Sequence, residues 1–158
     1  MDIELREVTS ANWQEALRLA VYPDQQRFIA EYTPIVAIAL AKAYLRLGGA
    51  TWTPYAIYAS ATMVGFVALA YESDTPDQYW IFHFFIDHRY QGRGYGRAAL
   101  QRFMELVKRE HPTCELLQLV VHPENHRAQL LYTAAGFRLS GIERWGEPVY
   151  QFAVRDAA

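Results

Sequence analysis

A chain of 158 residues, 52% apolar and 20% charged, carries apolar material for one core and hardly for two, so a single domain over 1–158 is expected. A formal net charge of −2 excludes the basic footprint of a nucleic-acid binder, and the one cysteine, Cys114, excludes an intrachain disulfide and a cysteine-type zinc site, so no metal centre is expected. The opening Met1-Asp2-Ile3-Glu4 is charged and is no signal peptide, and the longest apolar run, 35–41, is too short to span a bilayer, which points to a cytoplasmic protein without a membrane partner.

Ile3 and Leu5 alternate with Glu4 and Arg6, the pattern of a half-buried strand. Trp13, Ala16, Leu17 and Ala20 fall at i, i+3, i+4 and i+7, an amphipathic helix that Ser10 or Asn12 can cap and Pro23 ends. A second helical region covers 25–47, broken at Pro34 and stopped by Gly48-Gly49. Strands over 55–59 and 63–71 form a hairpin around Ser60-Ala61-Thr62. After the polar loop 72–78, the aromatic run 79–87 reads as a buried strand. From Gly94 onward, Ala99, Leu100, Phe103, Met104 and Val107 make one helical face. The stretch 116–121 is an apolar strand, and Ala128, Leu131, Tyr132 and Ala135 return to helical spacing, closed by Gly136. Strands near 137–144 and 149–154 complete the order β-α-α-β-β-β-α-β-α-β-β, an α/β or α+β pattern without repeats or linkers.

Two segments carry chemistry. Gln91-Gly92-Arg93-Gly94-Tyr95-Gly96-Arg97 follows a strand and opens a helix. Glycines at alternate positions let a ligand approach the backbone, and the free N–H groups and dipole of a helix start favour an anion such as phosphate. Arg93 and Arg97 add positive charge. A Rossmann fingerprint would place its third glycine one residue later, and a Walker loop would have Gly-Lys-Ser/Thr where this chain has Gly96-Arg97-Ala98. A glycine-rich turn without a ligand is the plain alternative. The second segment is Asn125-x-x-Ala128-x-x-Leu131-Tyr132-x-x-x-Gly136-Phe137. Taken alone it is a capped amphipathic helix with Asn125 as N-cap and Tyr132 as a core aromatic.

Together the two segments, with the strand order around them, resemble the GNAT superfamily of acyl-CoA transferases. That resemblance implies an α+β GNAT fold: a central mixed, mostly antiparallel sheet of about seven strands flanked by about four helices, with splayed strands forming the acetyl-CoA cleft. It implies that pantetheine lies between the strand ending Phe84-Phe85-Ile86 and the strand ending Val120-Val121, pairing with the backbone of Phe84 and Ile86. It further implies that the loop from Gln91 through Gly92, Arg93, Gly94, Tyr95 and Gly96 to Arg97 holds the pyrophosphate of acetyl-CoA, the co-substrate. Asn125 would contact the CoA arm and Tyr132 would point at the thioester sulfur. More finely, Trp13-x-x-Ala16-Leu17-x-Leu19-x-Val21-x-x-x-Gln25-x-x-Phe28-Ile29-Ala30, Thr53-Pro54-Tyr55-Ala56-Ile57-Tyr58, Met63-Val64-Gly65-Phe66 and Ile86-Asp87-x-x-Tyr90-Gln91-Gly92 resemble the bacterial spermine/spermidine acetyltransferases. The acceptor implied is a small-molecule amine, a polyamine first. A homodimer is compatible with the sequence, which does not itself show one.

Amide formation from a thioester needs a neutral amine, a polarised carbonyl and a proton for the leaving thiolate. A phenol can supply that proton, the role that falls to Tyr132, and a backbone N–H near Ile86 can polarise the carbonyl. By strand alternation the acceptor-facing side of 79–87 carries Trp80, Phe82 and Phe84 and no carboxylate, while His83 turns to the other face as a core histidine. The base is left open among His122, Glu31 acting through water, and a water chain. Glu31, Tyr32, Trp80 and His122 are the candidate acceptor-binding residues, the carboxylate and the aromatic faces suiting a cationic amine. The competing functions are a protein N-terminus, an antibiotic amine or an amino acid as acceptor, and a non-catalytic CoA-binding sensor.

Overall fold

The computed structural model describes residues 2–29 and 34–155. Seven strands, β1 (Ile3–Glu7), β2 (Thr51–Ala59), β3 (Thr62–Tyr71), β4 (Tyr79–Ile86), β5 (Leu116–Val120), β6 (Arg138–Arg144) and β7 (Glu147–Ala153), form one sheet in the order β1-β2-β3-β4-β5-β7-β6. Every neighbouring pair is antiparallel except β4 and β5, which run parallel. Parallel neighbours need a crossover, and the helix between them supplies it. The mixed, mostly antiparallel α+β sheet expected from the sequence is the one observed.

Among the described residues five α-helical segments flank the sheet: α1 (Trp13–Ala16), α2 (Gln26–Ile29), α3 (Ile35–Leu45), α4 (Tyr95–Glu110) and α5 (His126–Ala134). The first predicted helix shrinks to one turn. Its continuation is diverted because Ala20 N–H donates to the Asp87 carboxylate, 2.9 Å away, while Leu19 and Val21 plug the core. Within the helical region predicted over 25–47, α2 reaches Ile29 and α3 starts directly after Pro34, which is extended (φ −76°, ψ 140°).

The central strands of the sheet are buried on both faces. On one side α4 lays Ala99, Leu100, Phe103, Met104 and Val107, the face its spacing predicts, against Ile57, Val67, Leu69 and Leu117. On the other, Ala16, Leu19, Ile35, Val36 and Ala39 pack on Ala56, Met63, Phe66 and Phe85.

Strand alternation fails within β4. Phe66 pairs with Phe85 and Ala68 with Phe82, so Val67 stands opposite both His83 and Phe84: a bulge, with His83 at φ 53°. The extra residue resets the pleat. Phe82 and His83 both reach Lys42 of α3, while Phe84 turns toward Tyr132, with ring centroids 6.3 Å apart. The expected sharing of one face by Trp80, Phe82 and Phe84, with His83 opposite, is therefore corrected.

Beside this bulge β3 comes very close to β4. A Cβ on Gly65 would lie 2.5 Å from the Phe85 carbonyl oxygen and 2.9 Å from Ile86 Cδ1. Backbone cannot move aside as a side chain can, so Gly65→Ala is expected to destabilise the fold by about 3 kcal/mol, read as a lowered midpoint in urea.

Candidate active site

Strands β4 and β5 pair only at Tyr79↔Leu117 and Trp80↔Gln118, then part. Past that point Asp87 N–H donates to Val64 O (2.8 Å) and Phe85 faces Phe66, so Phe85 turns its peptide groups toward β3. By alternation Phe84 and Ile86 turn theirs into the gap. The gap opens into a cleft of about 580 Å³, walled by Phe85, Ile86, Gln91, Gly94, Asn125 and Leu131 among others. A smaller cavity of about 250 Å³, with Phe84, Tyr132 and His122 on its wall, shares Phe28, Ile29, Asn125 and Ala128 with the cleft. Helix α2 crosses above the junction: Phe28 sits edge-on to His122, centroids 5.1 Å apart, and Arg27 is ion-paired with Glu124.

The glycine loop forms one end of the cleft. Gly92 (φ 78°) and Gly94 (φ 82°) both take the left-handed conformation, which brings the chain sharply into α4. Gly92, Gly94, Tyr95, Gly96 and Arg97 line the cleft together with Gln91. This is an anion-binding geometry: the N–H groups that start a sixteen-residue helix, without a side-chain cap among the described residues, and the Arg97 cation on the same cleft wall. Arg93 does not reach the cleft; its guanidinium lies 5.8 Å from the Tyr90 ring centroid. The Gln91 side chain is a brace. It donates to Ile86 O (2.9 Å) and to Gln25 Oε1 (2.9 Å), and accepts from Gln25 Nε2 (3.1 Å). That ties the loop both to the end of β4 and to the start of α2.

A second brace escaped the sequence reading. Asp87 is fully buried, and its carboxylate accepts from Ala20 N–H, Arg89 N–H and Arg89 Nε (2.9, 2.9 and 2.8 Å). Burial alone would raise its pKa; the hydrogen bonds from Arg89 and Ala20 outweigh that and hold it below the usual carboxylate range. A lowered folded-state pKa contributes stability above the unfolded value of about 3.9 and loses it as pH falls through the folded one. Asp87→Asn is thus expected to cost about 2 kcal/mol at pH 7, with the gap to wild type in urea midpoints closing below about pH 4.

At the other end of the cleft, Asn125 caps α5: its Oδ1 accepts from Ala128 N–H at 3.2 Å, leaving the amide nitrogen for a ligand. Tyr132, on the same helix, packs its ring against Phe137 and Phe84 (centroids 5.6 and 6.3 Å). Its hydroxyl finds no protein partner among the described residues, and burial alone raises its pKa. It stays protonated throughout the neutral range, a donor on the cavity wall.

The Acetyltransferase (GNAT) family matches residues 23–137, a span from just before α2 to just past α5. The chain belongs to the GNAT acetyltransferase family. It is an acetyltransferase with acetyl-CoA as co-substrate. It is 29% identical over 150 residues to the spermine/spermidine N(1)-acetyltransferase of Bacillus subtilis (strain 168), covering 89% of this chain and 91% of the relative. Its fold matches an aminoglycoside acetyltransferase in complex with coenzyme A (TM-score 0.77, 18% identity, 96% and 95% of the two chains). It also matches the spermidine N-acetyltransferase of Vibrio cholerae in complex with CoA and spermine (TM-score 0.71, 16% identity, 94% and 92%).

In this acetyltransferase the remaining candidates fall unevenly. Glu31 and Tyr32 lie outside the described residues. His122 lines the smaller cavity, but its Nδ1 accepts from Glu124 N–H (3.1 Å), so the neutral ring carries its proton on Nε2 and presents a donor rather than a base. Trp80 does not reach the cavity; it is buried beneath Trp145, with Phe82 beside it and centroids 5.6 and 6.4 Å away. His83 lines the cavity instead. Its Nε2 lies 3.0 Å from Lys42 Nζ, while Nδ1 is buried without a hydrogen bond among the described residues. Burial first, then the Lys42 cation, pushes its pKa down to about 4, so the ring is neutral at working pH. Lys42, Trp145 and Glu147 complete the wall and were not anticipated. Lys42 was legible as the one charge in an otherwise apolar helix; Glu147 carried no signal.

Proposed function

We propose that residues 1–158 act as one cytoplasmic acetyltransferase domain that transfers an acetyl group to the primary amine of a small molecule, a polyamine such as spermidine first, with Tyr132 as general acid. The observation that carries this is the continuity of the cleft. An anion-binding helix start closes one end, the splayed end of β4 at Phe84 and Ile86 lines the middle, and a protonated tyrosine opens onto the cavity at the other end. The similarity to the Bacillus subtilis enzyme supports the polyamine.

The amine nitrogen attacks the thioester carbonyl, forming N–C as C–S breaks. A backbone N–H from the splayed end of β4 steadies charge on the carbonyl oxygen. Tyr132 hydrogen-bonds the departing sulfur. A thiol has a pKa of about 8.5, below that of a phenol near 10, so full transfer is uphill until the nitrogen sheds its own proton to the phenolic oxygen. One proton leaves nitrogen and one reaches sulfur, which balances the reaction. An acetyl-CoA thiol-release assay over spermine, spermidine, simple monoamines, an aminoglycoside and an amino-terminal peptide tests the reading. Turnover with the polyamines is expected; robust turnover of the peptide alone would remove the small-molecule acceptor.

A further inference from the structure

The acceptor cavity has two polar walls of opposite sign. Helix α3 contributes its only charged residue, Lys42, hydrogen-bonded to neutral His83 and set 5.3 and 5.8 Å from the Trp52 and Phe82 ring centroids. The β6–β7 turn contributes Trp145 and Glu147. This turn is as short as a hairpin allows: Arg144 and Glu147 are register partners, and Trp145 (φ 52°) and Gly146 (φ 76°) between them are both left-handed. Asparagine is the residue such a turn prefers at its first position, and an aromatic residue there is strained. Packing holds it. The Trp145 ring meets Trp80 and Phe82 at 5.6 and 5.8 Å, and the Arg144 guanidinium lies 5.0 Å from the Trp80 ring centroid. Arg144 is thereby drawn onto the tryptophans. Glu147 is left half-buried on the cavity wall, in no ion pair and no side-chain hydrogen bond among the described residues.

We infer that Glu147 is the acceptor-binding carboxylate, holding the second ammonium of a di- or polyamine against the face of Trp145 while the first amine meets the thioester beside Tyr132. The inference rests on the proposed transfer to a cationic amine. Lys42 gives it direction: an ammonium is repelled at the α3 wall and attracted at the β6–β7 wall, so the charged tail lies along the turn. His83 is neutral and His122 offers a donor, so neither competes for that charge.

Steady-state kinetics at saturating acetyl-CoA test this with spermidine and with benzylamine, which carries a single amine. E147Q is expected to raise the KM for spermidine about tenfold with kcat changed less than about threefold, the pattern of lost ground-state attraction. The benzylamine KM should move less than about threefold, and E147D should recover part of the spermidine KM because it restores the charge. Equal spermidine KM in wild type and E147Q overturns the assignment. So does a fall in kcat for both amines at constant KM, which would make Glu147 a proton acceptor. If no amine releases thiol from wild type, the transfer reading fails separately. Calorimetric titration of spermidine into CoA-loaded protein then decides: weaker binding in E147Q supports the carboxylate, and unchanged binding overturns it.

Discussion

Tyr132→Phe is expected to lower kcat by about 10²–10⁴-fold while leaving acetyl-CoA affinity within about twofold of wild type. The ring stays, and with it the packing on Phe84 and Phe137. Only the hydroxyl goes, and it has no protein partner to lose among the described residues, so the fold should be unharmed or slightly firmer. The pH profile gives a second test. Burial lifts the phenol above its ordinary value, so Tyr132 stays protonated well past neutrality and should contribute no alkaline fall in kcat below about pH 10. The acid-side rise should belong to the amine instead, and it should move with the pKa of the acceptor chosen. Near-normal kcat in a folded variant would return Tyr132 to a packing role and favour a CoA-binding module without catalysis.

The elements were legible wherever spacing alone decides them. The buried face of α4 and the Asn125 cap of α5 emerge as read, because both depend on residues within a few positions of one another. The β4 bulge was not legible: no glycine marks it, and only the register against β3 reveals that Val67 faces two residues. That one extra residue undid the side assignment for His83 and Phe84 and with it the expected acceptor face. Trp80 misled for a related reason. An aromatic strand exposes or hides its rings according to what covers it, and Trp145 comes from a turn some sixty-five positions away. Glu147 reaches the cavity because β7 inserts between β5 and β6, an ordering that no local pattern encodes. Asp87 was quoted within a motif yet given no role, since its partner Ala20 lies 67 positions away in the chain.

Gly94→Val is expected to weaken acetyl-CoA binding at least tenfold, about 1.4 kcal/mol, by calorimetry. Gly94 is the N-cap of α4 at φ 82°, and its carbonyl accepts the helix's early bond from Ala98 N–H at 3.2 Å. Two effects of the variant must be separated. A β-branched residue in the left-handed region is strained by about 1–2 kcal/mol wherever it sits. A side chain at this position also stands over the N–H groups that face the cleft, where an anion must approach. Gly141 supplies the control. It has nearly the same conformation, φ 85°, with no atom within 4 Å of where its Cβ would be, and it sits on β6, off the cleft wall. Gly141→Val should therefore lose comparable stability and keep its acetyl-CoA affinity. Gly94→Val should lose both. If the two variants melt alike and bind alike, the loop is a turn and the anion site lies elsewhere. If only Gly94→Val loses binding, and the loss is similar for coenzyme A and for acetyl-CoA but small for pantetheine lacking the nucleotide, the loop's donors are acting on the pyrophosphate.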